Sequence, residues 1–421
     1  MTNRTLNEWL RWLETLSPRE IVLGLERVAE MLSRLAIERP DTVVNVAGTN
    51  GKGSSVAMLE GLYRAAGART GAYTSPHVQH YNERIRIDGQ ATDDASIIAA
   101  FERVEAARDG LPLTYFEFGT LAALVAFDAA GVDTWLLEVG MGGRLDAVNA
   151  VDPDGCLVTN VSLDHCAWLG FDVESIAAEK AGILRGGKPA VYGAGDVPKA
   201  IVARANEIGA ELLVAGKDFS YRGESGERWS WRGRRLELPM IARPALPGDI
   251  QLDNASAVLA LVEALGRSDL LEPDAVSRVF ATLELEGRFQ VVGGRWILDV
   301  AHNPGASRVL AAELSKFAAG REVVAVVGML ADKDVAGIVA PLQDVVTHWI
   351  AVSLGGTRAT SAIDSAKQIA NAGKRPVLAI DSLDDAMEHV ASQFDDSALV
   401  LVCGSFYVVG PALEWLRNNA Q

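Results

Sequence analysis

A loop rich in glycine, with one lysine and neighbouring hydroxyls, is the strongest chemical signal in this sequence. Residues 48–55 (GTNGKGSS) follow a largely apolar, β-branched run at 43–47 and precede a helical pattern. A strand, a tight turn and a helix N-terminus in series hold phosphate with backbone N–H groups and the helix dipole. Lys52 adds a positive charge for the outer phosphates, and Ser54 or Ser55 offers a hydroxyl to Mg²⁺. The loop therefore predicts a nucleotide phosphate site.

The loop is not a standard Walker A motif, because Gly53 separates Lys52 from the first serine. The alternative is a glycine-rich turn of an α/β protein that binds no ligand. The order in which the lysine and the serines flank the glycines favours phosphate binding over that alternative.

Three further polar residues stand where predicted strands end: Ser75, Glu138 and His165. A hydroxyl, a carboxylate and an imidazole suit a divalent metal that keeps open positions for phosphate and water. Each also has an ordinary alternative, since loop serines are often caps and a histidine after a strand is often a hydrogen-bonded surface residue. Of the three residues, Glu138 is the hardest to explain without a metal, because its strand is apolar and a buried carboxylate needs a partner. The spacing of these residues alone does not decide whether they form a metal site.

Lys180 and Asp299 are weaker candidates. Lys180 lies near the end of a predicted helix, before Gly182, where a solvated lysine favours the helix dipole. The residues alone favour that interpretation over a lysine that points inward to metal and phosphate. Asp299 ends a predicted strand and could accept from a ribose hydroxyl, while Asn303 and Pro304 behind it suit an N-cap and the first helical position.

The elements that must position these residues form two sets. Strands and helices alternate from residue 43 to about 214, short antiparallel strands follow at about 218–238, and a helix runs from 251 to about 265. Beyond a boundary near 286–290 come five buried-type strands with helices between them: 296–300, 323–328, 348–352, 377–380 and 398–403. We therefore predict an α/β protein with two open, mostly parallel sheets. The predicted domains are residues 1–290, with the antiparallel insert, and residues 295–421.

Composition narrows the class of protein. The chain has 421 residues, 49% hydrophobic and 22% charged, with a net charge of −16, so a globular protein of two or three domains is expected. No basic cluster suggests a nucleic-acid partner. The three cysteines have no metal-ligand spacing and suit reduced thiols in the cytoplasm. No apolar run reaches the roughly 18 residues that a membrane span needs, so we expect no membrane association.

Seven motifs of this sequence stand in an order that resembles a known family. They are residues 47–55 (AGTNGKGSS), 74–77 (TSPH), 137–149 (LEVGMGGRLDAVN), 164–165 (DH), 179–182 (EKAG), 287–290 (GRFQ) and 299–304 (DVAHNP). The order is similar to that of the bacterial dihydrofolate synthase/folylpolyglutamate synthase family, the folate branch of the Mur ligase superfamily. The resemblance extends over essentially the whole chain. It implies an N-terminal P-loop ATPase domain of the Mur ligase type and a C-terminal Rossmann-like ligase domain.

The resemblance implies an ATP-dependent amide ligase. Such enzymes phosphorylate a carboxylate to an acyl phosphate, which the α-amine of L-glutamate attacks with loss of phosphate. The acceptors implied are 7,8-dihydropteroate, which gives dihydrofolate, and tetrahydrofolate with its polyglutamates. Positioning and charge neutralisation should supply most of the rate in such a reaction. A cytoplasmic monomer is implied as well.

The resemblance also implies roles for individual residues. The ATP phosphates would be held by Thr49, Asn50, Gly51, Lys52, Gly53 and Ser54, and further nucleotide contacts would come from Asn254, Arg288, Asp299 and His302. Two Mg²⁺ ions would be bound by Ser54, Ser75, Glu138 and His165. Lys180 matches a lysine that the family carbamylates, which reverses the interpretation from the residues alone, and it is grouped with Glu138 and His165 as catalytic. The pterin substrate would contact Thr114, Tyr115, Phe116, Glu117, Leu145, Asp146 and Ala147.

Several alternatives remain. The run at 143–147 (GRLDA) is similar to the bifunctional form, but a folylpolyglutamate synthase with a single activity is possible. A Mur-type ligase for a cell-wall peptide or a poly-glutamate chain is another alternative, although the phosphate loop starts too early for an extra N-terminal nucleotide-sugar domain. A non-catalytic ATP-binding switch would keep the loop but would not need Glu138, His165 and Lys180 together.

Overall fold

The computed structural model describes residues 4–17, 22–356, 359–373 and 375–419. It divides into two compact units. The first unit comprises Met1–Ala245 and Gln251–Leu283, and the second comprises Leu246–Ile250 and Glu284–Gln421. The two units are described separately below.

The first unit contains an eight-stranded sheet in the order β4-β3-β2-β5-β1-β6-β7-β8. Its strands are β1 Thr42–Ala47, β2 Thr70–Tyr73, β3 Ile85–Ile87, β4 Gln90–Ala91, β5 Thr134–Glu138, β6 Gly155–Val158, β7 Pro189–Tyr192 and β8 Glu211–Val214. All neighbours pair in parallel except β2 with β3 and β3 with β4. The central strands are buried along their length, as sheets covered on both faces require. The predicted α/β class is confirmed.

The register of the parallel strands brings the predicted site residues to one edge. Val46 of β1 is paired with Glu138 of β5, and Ala47 is paired with Val158 of β6. Tyr73 of β2 is paired with Leu137 of β5. The loops that follow these four strands therefore leave the sheet at the same carboxyl edge, which is where open α/β sheets bind ligands.

Over its described residues, the first unit has ten α-helices. They are α1 Leu6–Leu16, α2 Glu26–Leu35, α3 Lys52–Ala65, α4 Asp94–Arg108, α5 Tyr115–Ala130, α6 Cys166–Leu169, α7 Val173–Ala181, α8 Lys199–Ile208, α9 Ile250–Ala264 and α10 Pro273–Ala281. Helix α5 begins at Tyr115, directly after Thr114. Its first turn includes two aromatic residues, and a capping box between Thr114 and Glu117 stabilises that start.

The antiparallel insert is a separate three-stranded sheet: β9 Ser220–Gly223, β10 Arg228–Arg232 and β11 Glu237–Ala242. Alternate residues of β10 face the interior, so Trp229 and Trp231 are buried. The turn between β10 and β11 is fixed by the buried Glu263, whose carboxylate accepts hydrogen bonds from three consecutive backbone N–H groups, 234–236. The predicted antiparallel strands are confirmed, and they extend to residue 242.

The second unit contains a six-stranded sheet in the order β12-β13-β17-β14-β15-β16. Its strands are β12 Gln290–Val292, β13 Trp296–Asp299, β14 Val323–Val327, β15 His348–Val352, β16 Val377–Ile380 and β17 Leu399–Cys403, and its helices are α11 Pro304–Ala318, α12 Val335–Val339, α13 Ala362–Ala372, α14 Leu383–Gln393 and α15 Phe406–Asn419. All five predicted strands are present and parallel. The sequence missed β12, an antiparallel edge strand of three residues whose composition alone carries too little signal.

Among the described residues, no helix combines the length and the apolar character that crossing a membrane requires.

Candidate functional site

The phosphate loop connects β1 to α3 and depends on two glycines. Gly48 has a φ of 148° and Gly51 a φ of 85°, backbone angles that residues other than glycine rarely adopt. A Cβ on Gly48 would lie 1.8 Å from Thr159 Oγ1, and a Cβ on Gly51 would lie 2.4 Å from Asn254 Oδ1. The loop is therefore enclosed by the segment after β6 and by α9, and the predicted nucleotide residue Asn254 lies directly against it.

The lysine and the serines of the loop have distinct surroundings. Lys52 curls over the loop, and its Nζ donates to the carbonyl oxygens of Gly48 at 3.2 Å and Thr49 at 3.3 Å. The Ser55 hydroxyl donates to the Gly51 carbonyl at 2.9 Å. Because Ser55 is engaged within the helix, Ser54 is the better of the two candidate metal ligands.

Glu138 lies between the loop that carries Ser75 and the phosphate loop. Its Oε2 accepts a hydrogen bond from the Ser75 N–H at 3.1 Å, and a Cβ on Gly53 would lie 3.7 Å from the same oxygen. Glu138 is 5% exposed. The carboxylate that the sequence predicts as a metal ligand is thus brought to the start of α3.

The chemistry of the donor set suits Mg²⁺. Among the described residues, no three His, Cys, Asp or Glu side chains form a group that could hold a metal ion. Glu138 and the hydroxyls of Ser54 and Ser75 are oxygen donors, and Mg²⁺ in nucleotide sites takes one or two carboxylates, with phosphate and water completing its shell. His165 immediately precedes α6, with its N–H hydrogen-bonded to Asp164 at 2.9 Å. Its predicted role as a metal ligand stays a prediction.

Lys180 is not solvated. It lies in the last turn of α7 and is 3% exposed, so the interpretation that the residues alone favoured is wrong. Burial lowers the pKa of Lys180 to about 7, and the positive charge of Lys52 acts in the same direction. Asp164 and Asp146 oppose this shift. Lys180 therefore lies within electrostatic reach of the phosphate loop, and its amine gives up its proton far more readily than the amine of an exposed lysine.

Asp146 is held by the backbone of its own loop. Its two carboxylate oxygens accept from the N–H groups of Met141 at 2.9 Å and Val148 at 3.0 Å. Burial raises the pKa of Asp146 to about 6, against the opposing effect of these hydrogen bonds. Its neighbours Leu145 and Ala147 are half-buried and buried, respectively. A substrate contact by this segment stays a prediction.

The two segments predicted to bind pterin are adjacent. Phe116 packs against the loop that leads to Asp146, because a Cβ on Gly140 would lie 2.5 Å from the Phe116 ring. The Tyr115 ring is half-buried and lies 6.2 Å from the Tyr81 ring in an edge-to-face arrangement. The rings of Tyr115 and Phe116 supply the flat apolar faces that a fused heterocycle requires.

Thr114 and Glu117 have structural partners. Thr114 caps α5, and Glu117 accepts from the Thr114 N–H at 2.8 Å and from the Arg27 guanidinium at 2.7 Å. Both Thr114 and Glu117 are buried. They fix the start of the helix that presents the two aromatic residues.

Three residues near this site have no role assigned from the sequence: His77, Arg84 and Arg27. Arg84 donates to His77 Nδ1 at 2.8 Å, and its guanidinium lies 5.7 Å from the Tyr115 ring. Burial, followed by the charge of Arg84, lowers the pKa of His77 to about 4. The third is Arg27, the partner of Glu117. The motif at 74–77 pointed to His77, but Arg27, at the start of α2, and Arg84, just before β3, lie in stretches that carry no chemical pattern of their own.

The second unit brings Arg288, Asp299 and His302 together around Phe406. The Asp299 carboxylate accepts from the N–H groups of Phe289 and Ala301, both at 2.8 Å. The Arg288 guanidinium lies 5.3 Å and the His302 ring 6.1 Å from the Phe406 ring. Burial raises the pKa of Asp299, and the charge of Arg288 opposes that effect. The residues that the sequence predicts for the nucleotide form one cluster in this unit.

The caps predicted behind Asp299 are also present. Asn303 precedes α11, its Oδ1 accepts from the Ala306 N–H at 2.9 Å, and Pro304 occupies the first helical position. Asn303 therefore has the structural role that the sequence predicted for it.

Comparisons with known proteins identify both units. The chain matches the family described as Mur ligase middle domain over residues 46–262 and the Mur ligase, glutamate ligase domain over residues 287–406. Dihydrofolate synthase/folylpolyglutamate synthase of Escherichia coli (strain K12) is 40% identical over 412 residues, which cover 97% of this chain and 95% of that protein.

Solved structures give the same result. The structure of E. coli FolC in complex with DHPP and ADP has a TM-score of 0.93 and 39% identity, and the match covers 100% of this chain and 99% of that one. A bifunctional folylpolyglutamate synthase/dihydrofolate synthase with Mn, AMPPNP and L-glutamate bound has a TM-score of 0.90 and 40% identity, and covers 99% and 98%.

Proposed function

Because this chain belongs to the dihydrofolate synthase/folylpolyglutamate synthase family of Mur ligases, we propose that it joins L-glutamate to 7,8-dihydropteroate and to tetrahydrofolate and its polyglutamates. It is an ATP-dependent acid–amino-acid ligase. The observation that carries the proposal is the position of Glu138, which lies at the carboxyl edge of the first sheet between Ser75 and the phosphate loop.

The first step transfers the γ-phosphoryl group of ATP to the acceptor carboxylate. The start of α3 aims its free N–H groups at the phosphates, and Lys52 exchanges its contacts with the loop carbonyls for contacts with phosphate oxygens. Mg²⁺ bound to Ser54, Ser75, Glu138 and His165 would neutralise phosphate charge, with two ions expected. The buried Glu138 gives this region the negative charge that such ions need.

In the second step the α-amine of L-glutamate attacks the acyl carbonyl. A C–N bond forms, the C–O bond to phosphate breaks, and inorganic phosphate leaves. The amine must be neutral to attack, so its ammonium proton goes to a base or to water. A second N–H proton is lost as the amide forms, and the departing phosphate can take it. The protein's contribution is to hold the activated carboxylate against the incoming amine.

Lys180 is proposed to be carbamylated. Its low pKa leaves the amine largely unprotonated at slightly alkaline pH, and only a neutral amine can attack CO₂. The N–C bond forms, and the neutral amine loses one proton to become the carbamate. Counted from the ammonium form, two protons are lost and the side chain changes from a cation to an anion. An anion at this position would offset the charge of Lys52 and of bound magnesium, which a buried ammonium could not do.

The pterin ring is proposed to bind against Tyr115 and Phe116. The loop at 145–147, fixed by the hydrogen bonds of Asp146, lies beside Phe116 and would present Leu145, Asp146 and Ala147 to the substrate. Thr114 and Glu117 would act by holding the start of α5. In the second unit, Arg288, Asp299 and His302 are proposed to contact the nucleotide, as is Asn254 in the first.

One experiment distinguishes the alternatives. Phosphate release from ATP is measured with L-glutamate, Mg²⁺ and either 7,8-dihydropteroate or tetrahydrofolate. Release with both acceptors, with the mass of glutamate added to each, is the expected result. Release with tetrahydrofolate alone would mean a single activity and would contradict the role of Asp146. Release with neither would refute the proposal and leave another Mur-type ligase or a nucleotide-binding switch.

We also propose a cytoplasmic monomer. Cys156 and Cys403 are free and buried, and burial raises the pKa of Cys156 to about 12, so these thiols are unreactive in the folded chain. A reduced compartment suits such cysteines. Sedimentation of the purified chain tests the monomer, and a dimer at micromolar concentration would contradict it.

A further inference from the structure

Residues 159–162 follow β6 and are hydrogen-bonded to the phosphate loop. We name them the clamp segment. The Thr159 N–H donates to the Ala47 carbonyl at 2.9 Å and continues the pairing of β6 with β1. The Thr159 side chain is 3% exposed and fills the space that the missing Cβ of Gly48 leaves. The clamp segment therefore contacts the loop at its first residue.

Asn160 pairs with the backbone of Asn50 through both ends of its side-chain amide. Its Oδ1 accepts from the Asn50 N–H at 3.2 Å, and its Nδ2 donates to the Asn50 carbonyl at 2.9 Å. Its own backbone carbonyl accepts from the Thr49 N–H at 3.0 Å. The Thr159 hydroxyl is a second donor to the Asn50 carbonyl, at 2.6 Å. One carbonyl of the loop thus has two side-chain donors from the clamp segment.

These donors decide where the next N–H group points. A trans peptide holds its C=O and its N–H in opposite directions. Because the Asn50 carbonyl faces the clamp segment, the Gly51 N–H faces away from it. Gly51 is the residue before α3, where a free N–H belongs to the anion site at the helix N-terminus.

The clamp segment also holds Thr49 of the loop, through Ser162. The Thr49 hydroxyl accepts from the Ser162 N–H at 3.0 Å and donates to the Ser162 carbonyl at 3.1 Å. The N–H and the hydroxyl of Thr49 are therefore both used by the clamp segment. Thr49 therefore supports the loop, and the contact with phosphate that the resemblance implies for it stays a prediction.

We propose that Thr159 and Asn160 are positioning residues of the ligase, which orient the Asn50–Gly51 peptide so that its N–H binds nucleotide phosphate. The proposal rests on the proposed function for the identity of the nucleotide. Neither residue contacts the nucleotide in this mechanism, since both act through Asn50. Their effect should therefore depend on the phosphates and not on the base or ribose.

The test compares charge-neutral variants, because an added carboxylate would weaken anion binding for a different reason. Thr159→Val keeps the shape of the side chain and removes the donor, and Thr159→Ser is the matched control that keeps it. Asn160→Ala removes the paired amide and is a second variant should Thr159→Val fail to fold. Affinity for ADP with Mg²⁺ and affinity for adenosine are measured on the full chain, with melting temperature as the check on folding.

We expect Thr159→Val and Asn160→Ala each to weaken ADP binding about tenfold, the effect of one lost hydrogen bond and a misdirected peptide. Adenosine affinity should stay within about twofold of the unmodified chain, and Thr159→Ser should bind ADP normally. Equal losses for ADP and adenosine would mean a merely structural role and would overturn the proposal. Unchanged ADP affinity in both variants would overturn it too.

This experiment separates the inference from the proposed function, because it needs no pterin or folate. A chain that binds ADP, loses that affinity in the variants and adds no glutamate to either acceptor would refute the proposed function and support the positioning role. A chain that ligates glutamate, but whose variants bind ADP normally, would support the proposed function and refute the positioning role. An unmodified chain that does not bind ADP would refute both.

Discussion

Lys180→Met is predicted to make the protein more stable and to abolish ligation. The Lys180 amine is 3% exposed, and its pKa falls from the ordinary 10.5 to about 7. At 1.36 kcal/mol for each pKa unit, burying this amine costs at most about 5 kcal/mol at neutral pH. The attraction of Asp146 and Asp164 is already part of that shift. Local relaxation and the entry of water reduce the cost of the buried charge below this upper value. We expect a gain in unfolding free energy of about 1–3 kcal/mol, since methionine is flexible and similar in length.

The gain should depend on pH in a defined way. The unfolded chain binds a proton at Lys180 below about pH 10.5, whereas the folded chain does so only below about 7. The cost of burying the amine is therefore absent above pH 10.5, grows as the pH falls from 10.5 to 7, and is constant below 7. The variant's advantage should follow the same course.

Urea unfolding at pH 7, 9 and 10.5 in CO₂-free buffer measures this difference. Lys217→Met, at an exposed lysine, is the matched control and should show no such pH dependence. A Lys180→Met variant that is less stable than the unmodified chain at pH 7, or that has the same advantage at pH 7 and 10.5, would refute the reasoning. Addition of ¹³C-bicarbonate should give the unmodified chain a carbamate signal that the variant lacks.

Three further predictions concern the same edge of the sheet. His77→Gln should flatten the loss of stability between pH 6.5 and 4, because the folded chain resists protonation of His77 there while the unfolded chain does not; an unchanged profile in acid unfolding would contradict this. Asp146→Ala should impair the use of dihydropteroate more than ADP affinity, and equal losses would remove its substrate role. Gly48→Ala should destabilise the chain by more than about 2 kcal/mol, because its Cβ would meet Thr159, whereas Gly53→Ala in the open first turn should keep or raise the melting temperature.

The sequence alone was sufficient for much of the architecture. Runs of apolar residues at strand length, separated by helical periods, predicted the buried strands of both sheets. This works because a parallel strand covered on both faces must be apolar along its length. Edge elements carry no such constraint, and the short β12 was therefore missed.

The phosphate loop was also legible in the sequence, because its chemistry is local. Gly51, Lys52, Gly53 and Ser54 are consecutive, and the turn they form needs only a preceding strand and a following helix. The need for Gly48 has a different origin. It lies in the approach of Thr159, more than a hundred residues further along the chain, which only the pairing of β1 with β6 brings about.

Tertiary structure decided the properties that depend on distant neighbours. The sequence put Lys180 near a helix end, where solvent exposure is the ordinary outcome. Its burial and its low pKa come from the packing of α7 against the loop that follows β5, where a Cβ on Gly143 would lie 3.1 Å from Lys180 Cα. Glu138 ends β5, Ser75 follows β2 and Gly53 lies in the first turn of α3, and only strand register brings them together. Local sequence fixes backbone periodicity and turn chemistry, whereas desolvation and charge interactions act through space and exist only once the sheet has formed.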